Sequence, residues 1–522
     1  MEHSNRQELL RFIAAVKAHK VVSGSPLVRR FLASFFDVDG IDYQELAGVS
    51  AAELRQIPEI ANLIGCATHG AISNADCLRV IDDPLMHKLL RRTVVTDLPL
   101  ERLLSTARSC YLNWVLNDPA ALTDQLPLMA SLACQCFNNE YIYPTTPIEE
   151  SSLDVLQRRV SEDLVARNNI RLLPQIAVYG MYRSLYSLDS SRDLLGLDGD
   201  LKEVIQRQIA EPIEEDQLKS KIQSFGSVTD PISQAVRQQY EDFPYPRWFN
   251  LTMGGTTTFS EWIARKFPFL RSPELSHPQI LIAGCGTGRH PLRIASLLPE
   301  STVLAIDLSR ASLAYAMRQA ERFRIANVEF LHGDLLFVGQ LKRAFDCIEA
   351  DGVLHHMDDP AAGMKALVAV LKPGGFMKVA LYSKRAMAPL LEAQRLCSAI
   401  TVGDRSPEKL RQARRAMLEV IGDIRCVTRN FEFFHLSGLP DVFCPTHAKH
   451  FAPTELYSLF GELEVEFLGY PEVRKDLLAI YRQRFPHDPH MRDLNSIDLF
   501  EQDFPTAFTG GLHPFYLRKK TM

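Results

Sequence analysis

The chain has 522 residues, 46% of them apolar, and a net charge of −5. That length exceeds one hydrophobic core and implies two or three domains. The weak acidity excludes a general electrostatic attraction for nucleic acid or anionic membrane, and neither is an expected partner.

Residues 1–8 are polar and lack the basic-then-apolar order of a signal peptide, and no uncharged apolar run is long enough to span a bilayer. A cytoplasmic location is expected. The ten cysteines are irregularly spaced and read as reduced thiols. Cys134-x-Cys136 and Cys444-x-x-His447-x-x-His450 each lack a second ligand pair at finger-like spacing, so no metal is expected.

Residues 1–225 show helical periodicity and little strand character. After Asp97, a capping residue type, apolar side chains recur at Leu100, Leu103, Leu104, Ala107, Tyr111, Trp114 and Val115, one helical face. Similar faces run over 9–16, 27–36, 126–137 and 172–188, which predicts an all-α domain without a solenoid repeat. Thr229-Asp230-Pro231 then opens a connector over 226–277, whose stretch 238–248 concentrates aromatics and prolines.

From 278 to 383, apolar runs at 279–283, 302–306, 328–331, 346–350 and 376–382 alternate with helix-length stretches. This is the pattern of a parallel, doubly wound sheet. Pro291, Ser309 and Asp359-Pro360 start the intervening helices, and Lys372-Pro373-Gly374-Gly375 ends one. A largely helical insertion over about 384–462 precedes two further strands at 463–469 and 514–519, expected to be an antiparallel pair. Beside the carboxyl ends of the central strands, such an insertion is a candidate substrate lid.

The chemistry concentrates at Ile280-Leu281-Ile282-Ala283-Gly284-Cys285-Gly286-Thr287-Gly288. A strand running into a Gly-x-Gly-x-Gly turn lets backbone without Cβ atoms approach a bulky ligand, while the next helix opens its amides toward it. Asp307 ends the second strand, where a carboxylate accepts from ribose hydroxyls, and Asp334 follows the third, near a purine edge. Both acids also suit helix caps. A Gly-x-Gly turn equally serves dehydrogenases, flavoproteins and nucleoside-binding transferases, but Arg289 stands where a pyrophosphate fingerprint has Gly or Ala.

With Phe345-Asp346-Cys347-Ile348-Glu349-Ala350-Asp351-Gly352-Val353-Leu354-His355-His356 and Leu371-Lys372-Pro373-Gly374-Gly375 in the same order, residues 278–383 resemble the class I S-adenosylmethionine-dependent methyltransferases. The resemblance implies an α/β, Rossmann-like seven-stranded sheet with its last strand antiparallel, and S-adenosylmethionine as cofactor. It also implies a cofactor site of Gly284, Cys285, Gly286, Gly288, Asp307, Leu308, Asp334 and Leu335, with Tyr240 and Arg247 folding over it. Ile282 stands where many members carry an acid that orients the methionine ammonium. A looser similarity, carried by 134–141, 239–248 and 500–505, is to the methyltransferase portion of bacterial proteins with tetratricopeptide repeats; it supports architecture and supplies no acceptor.

Methyl transfer from a sulfonium requires alignment, exclusion of water and, for some acceptors, a base. His355 and His356 are the best placed candidates, with Asp351 and Tyr382 beside them. His435, His447 and His450 read as acceptor-pocket residues or, more simply, as solvated loop histidines. The expectation is a cytoplasmic methyltransferase with a helical domain over 1–225, a connector over 226–277 and a catalytic domain over 278–522. Its acceptor offers oxygen or nitrogen, a small molecule being slightly favoured over a protein. The alternative is a non-catalytic S-adenosylmethionine-binding sensor or scaffold, for which Ile282 is the main support.

Overall fold

The computed structural model describes residues 24–68, 81–271, 274–508 and 511–521, with residues 11, 15, 72, 78 and 79 besides. The polar stretch 1–8 and most of the face expected over 9–16 lie outside them. Among the described residues no helix is long and apolar enough to cross a membrane.

The chain divides into two units. The helical unit gathers Met1–Glu214, Arg247–Met253 and Ala399–Leu439; the sheet unit gathers Glu215–Pro246, Gly254–Ser398 and Pro440–Met522. This division differs from the expected boundaries in two places. The aromatic connector is shared between the units, and the middle of the insertion groups with the N-terminal helices instead of with the sheet.

Within the helical unit, the expected face after Asp97 is the helix Leu98–Asn117, where the Asp97 carboxylate accepts from the Leu100 amide at 3.0 Å. Leu100, Leu103, Leu104, Ala107, Tyr111 and Val115 are fully buried on that face. Further helices occupy Pro26–Phe35, Leu126–Asn138 and Asn169–Tyr179. The last is shorter than the 172–188 pattern, because turns follow Tyr179 and Leu185–Ser187 form a separate 3-10 turn.

Among the described residues, the sheet unit contains eight strands: β1 (Gln223–Ser224), β2 (Gln279–Ala283), β3 (Thr302–Asp307), β4 (Val328–His332), β5 (Phe345–Asp351), β6 (Leu371–Tyr382), β7 (Val465–Gly469) and β8 (Leu512–Lys519). Their order is β1-β4-β3-β2-β5-β6-β8-β7, parallel except for β8, which runs antiparallel to both neighbours. Seven of these are the expected strands. The eighth, β1, adds two residues to the free edge of β4, a pairing with no apolar pattern to announce it.

Alternate residues of the central strands serve opposite faces, so both are apolar. Leu281, Ala283, Leu304, Ile306 and Ile348 pack with Met364, Leu367 and Val368 of the helix Pro360–Val370 on one side. Ile280, Ile282, Val303, Ala305 and Cys347 pack with Ile263, Phe267, Ile294 and Leu313 on the other. Each fully buried Leu, Ile, Val, Met or Phe among them contributes about 1.5–3 kcal/mol. The strand order reverses between β2 and β5, and a crevice at their carboxyl ends is where open sheets bind ligands.

Candidate active site

The glycine loop follows β2 at that reversal. Gly286 has φ 51°, and a Cβ there would lie 2.5 Å from the Tyr245 carbonyl oxygen; Gly288 has φ 86°, and its Cβ would lie 2.4 Å from that of Ala316. Both positions therefore exclude any other residue. The Gly284 and Cys285 amides donate to the Ile306 carbonyl at 2.9 and 3.0 Å, and the Thr287 amide donates to the Tyr245 carbonyl at 3.2 Å. The loop is thereby fixed to β3 and to the connector, and the helix Arg289–Leu297 starts directly after it.

Asp307, at the end of β3, accepts from the Gly286 amide at 2.7 Å and from the Ser309 amide at 2.9 Å. Burial raises its carboxyl to about 6, against the pull of the Ser309 and Gly286 amides. Asp334 follows β4 and is 2% exposed. One of its oxygens caps the next turn by accepting from Leu336 at 3.0 Å; the other, Oδ2, is buried without a hydrogen-bond partner. A buried carboxylate oxygen with spare capacity suits an incoming donor such as an exocyclic amine. Leu335 is buried beside it, Leu308 is half-buried next to Asp307, and the Cys285 thiol is pushed well up by burial.

A charged row crosses the sheet one strand away. Ile282, Glu349, Lys378 and Tyr516 are successive register partners on β2, β5, β6 and β8. Lys378 Nζ lies 2.8 Å from Asp351 Oδ2 and 3.0 Å from Glu472 Oε2, and the Tyr516 hydroxyl donates to Glu472 at 2.7 Å. Lys266 also pairs with Glu472. His290, in the first turn after the glycine loop, bonds Glu349 through Nε2 and has Nδ1 3.8 Å from Asp351. Burial opposes the charge on His290, yet Glu349 and Asp351 outweigh it and raise the imidazole above its ordinary value. Burial likewise would raise Glu349, but His290 and Lys378 hold it down.

A second cluster follows β5 in the short helix Leu354–His356. His356 Nδ1 lies 2.7 Å from the His447 carbonyl, and the two ring Nε2 atoms of His355 and His356 are 3.1 Å apart. Burial drives His355 well below its ordinary value and His356 down to about 4, so both rings are neutral at pH 7. The carbonyl only accepts, so the His356 proton is on Nδ1; its Nε2 then accepts, and His355 donates from Nε2. This leaves His355 Nδ1 as a bare lone pair, buried and without a hydrogen-bond partner. Tyr382 stacks on His355 with ring centres 3.8 Å apart, and the Tyr240 hydroxyl donates to Asp441 at 2.7 Å, within 3.5 Å of His356 Nε2.

The structure brings Gly284, Gly286, Gly288, Asp307 and Asp334 to the carboxyl ends of adjacent strands, and His355 and His356 to a separate cluster with Tyr240 and Tyr382. Asp351 is engaged by Lys378. Arg247 belongs to the helical unit, where its guanidinium lies 4.2 Å over the Phe137 ring and 3.7 Å from Glu140. His435 is fully buried in that same unit rather than solvated. Cys134 and Cys136 are core residues whose thiols burial raises to about 11 and about 12. The sequence reasoning missed His290, Glu349, Lys378 and Asp441. Strand register sets Glu349 beside Lys378, and the helix after the glycine loop brings His290 to Glu349, 59 positions away.

The strand order with an antiparallel β8, and a glycine loop at the reversal, define the class I methyltransferase fold. Residues 280–375 match the methyltransferase domain family, and the chain carries a methyltransferase domain of the S-adenosylmethionine-dependent type. The chain is 34% identical over 182 residues to an uncharacterized protein of Synechococcus, covering 34% of this chain and 43% of that protein. It is 33% identical over 107 residues to the trans-aconitate 2-methyltransferase of Deinococcus radiodurans, 20% of this chain and 39% of that enzyme. The chain thus spans well under half the length of either relative. Among solved structures, PKMT2 of Rickettsia typhi in complex with AdoHcy is similar over 53% of this chain and 55% of that one, at 16% identity and a TM-score of 0.39.

Proposed function

We infer that this protein is an S-adenosylmethionine-dependent methyltransferase that methylates an oxygen or nitrogen of its acceptor. The observation that carries the reading is the pair formed by the close-packed glycine loop and the buried, half-used carboxylate of Asp334, at the ends of β2 and β4, the two parallel strands that flank β3. In this reading Gly284–Gly288 hold the methionine part, Asp307 the ribose and Asp334 the adenine amine. When bound, the cofactor supplies an electrophilic methyl group on a sulfonium.

The chain's own residues then have three tasks. The loop and acids orient, and the apolar face behind them excludes water. His355 Nδ1 accepts the proton of an acceptor O–H or N–H and points its nucleophile. A hydroxyl becomes strongly acidic once alkylated, so even a weakly basic imidazole suffices to take its proton. The preference for a small acceptor rested on a lid over the sheet. Residues 384–398 and 440–462 of the insertion group with the sheet unit and 399–439 with the helical unit, and a size-fractionated extract tests the preference. The non-catalytic alternative rested on Ile282, yet Glu349 stands in register beside it.

Calorimetry with S-adenosylmethionine, S-adenosylhomocysteine and NAD tests the cofactor: the first two bind and NAD does not. Labelled cofactor with a size-fractionated extract tests the acceptor. Label in neither small molecules nor proteins overturns the catalytic reading.

A further inference from the structure

Position 282 lacks an acid, and the sheet places two acids next to it. Ile282 on β2 is in register with Glu349 on β5; two residues further on Asp351 ends β5, and Gly284 opens the loop that follows β2. The approach there is close, since a Cβ on Gly284 would lie 2.3 Å from Val353 Cγ2. Beside Asp351, Gly352 faces open space: a Cβ there would meet nothing within 4 Å.

The two lysines at this point do not by themselves balance its carboxylates. Glu349, Asp351 and Glu472 are three carboxylates, and the lysines paired with them are Lys266 and Lys378. The remaining group is His290, bonded to Glu349 and 3.8 Å from Asp351. One negative charge is therefore matched either by a proton on His290 or by a cation from outside. Glu349 Oε1 and Asp351 Oδ1 are both buried without a hydrogen-bond partner, so each retains an acceptor site. Buried carboxylate oxygens with open acceptor sites bind a compact cation that donates hydrogen bonds.

We propose that Asp351 and Glu349, at the crevice between β2 and β5, form the binding site for the α-ammonium group of the ligand's amino-acid part. Asp351 touches the ammonium, and Glu349, held by His290, is a positioning residue that supplies from the neighbouring strand the negative charge absent at 282. This rests on the reading of the ligand as S-adenosylmethionine. A divalent metal is the competing occupant, because His290, Glu349 and Asp351 offer ligand atoms within 4.8 Å of one another. Against it, Lys378 already lies 2.8 Å from Asp351 Oδ2.

The test is calorimetry on the full chain with S-adenosylhomocysteine, its deaminated analogue, and methylthioadenosine, which has no amino-acid part. On the wild-type protein the deaminated analogue binds at least about tenfold more weakly than S-adenosylhomocysteine, about 1.4 kcal/mol. Asp351→Asn lowers S-adenosylhomocysteine to the level of the deaminated analogue and leaves methylthioadenosine unchanged. Equal affinity of the first two ligands for the wild-type protein overturns the proposal without needing any variant. It is equally overturned if Asp351→Asn weakens all three ligands alike, which marks a structural role, or if the protein takes up one equivalent of Mn²⁺ or Zn²⁺ that Asp351→Asn abolishes. Should the wild-type protein bind none of the three, the cofactor reading itself fails, and this site with it.

Discussion

Arg414 and Glu101, 313 positions apart, form a two-point ion pair buried in the helical unit, with nitrogen to oxygen distances of 2.8 and 2.7 Å. Arg414 also donates from Nε to the Phe433 carbonyl at 2.7 Å and lies 4.4 Å over the Phe433 ring. This pair is one reason that residues 399–439 group with the N-terminal helices. Removing one partner leaves the other charge buried and unmatched, so Glu101→Gln is expected to destabilise the helical unit by about 3–5 kcal/mol. Urea unfolding followed by circular dichroism measures this, and a change below 1 kcal/mol would show that the pair is not desolvated.

Gly288 lies against Ala316, and its Cβ-free backbone at positive φ opens the helix Arg289–Leu297. Gly288→Ala meets both the clash and the backbone strain, and is expected to cost about 2–3 kcal/mol. Gly254→Ala is the matched control, since a Cβ there meets nothing within 4 Å. Thermal melts that fall equally for both variants would contradict the close packing of the loop.

Asp334→Asn keeps a capping oxygen for the Leu336 amide but replaces the unpartnered carboxylate oxygen with an NH₂ group. The fold is retained, and S-adenosylhomocysteine affinity falls about 10- to 100-fold, because two donors then face each other. Calorimetry beside a thermal melt separates the two effects. Unchanged affinity would remove Asp334 from the adenine site.

Acid destabilises the sheet unit. Burial lowers His355 well below its ordinary 6.5, and lowers His356 and His513 to about 4. Because the folded-state values are depressed, the unfolded chain binds more protons between pH 6.5 and 4; the stabilisation is complete above 6.5 and is lost as pH falls. Asp307, raised from 3.8 to about 6, works in the opposite direction over its own range. The loss from pH 7 to 5 is about 1–2 kcal/mol per histidine. Urea midpoints at the two pH values check this, and His356→Asn, which retains a donor for the His447 carbonyl, should show a smaller drop.

What the sequence revealed and what it hid follow from the range of the interactions. Local signals sufficed for the caps at Asp97, Ser309 and Asp359, each of which accepts from a backbone amide two or three residues on. They also sufficed for the glycine loop and for the acids that end β3 and follow β4. Nothing local marks Gln223–Ser224 as a strand, because its only support is the free edge of β4. Ile282 reads as a missing acid until register sets Glu349 beside it. Nothing local shows that the middle of the insertion packs with the N-terminal helices, since Arg414 and Glu101 are 313 positions apart.

Each unit is assembled from three separate stretches of chain, so the backbone passes from one to the other five times. During synthesis the helical unit therefore lacks its final stretch until residue 439 has left the ribosome, by which point β1 to β6 have already emerged. Neither unit is removable by a single cut, and a gene truncated near residue 225 would leave Glu101 as an orphan charge.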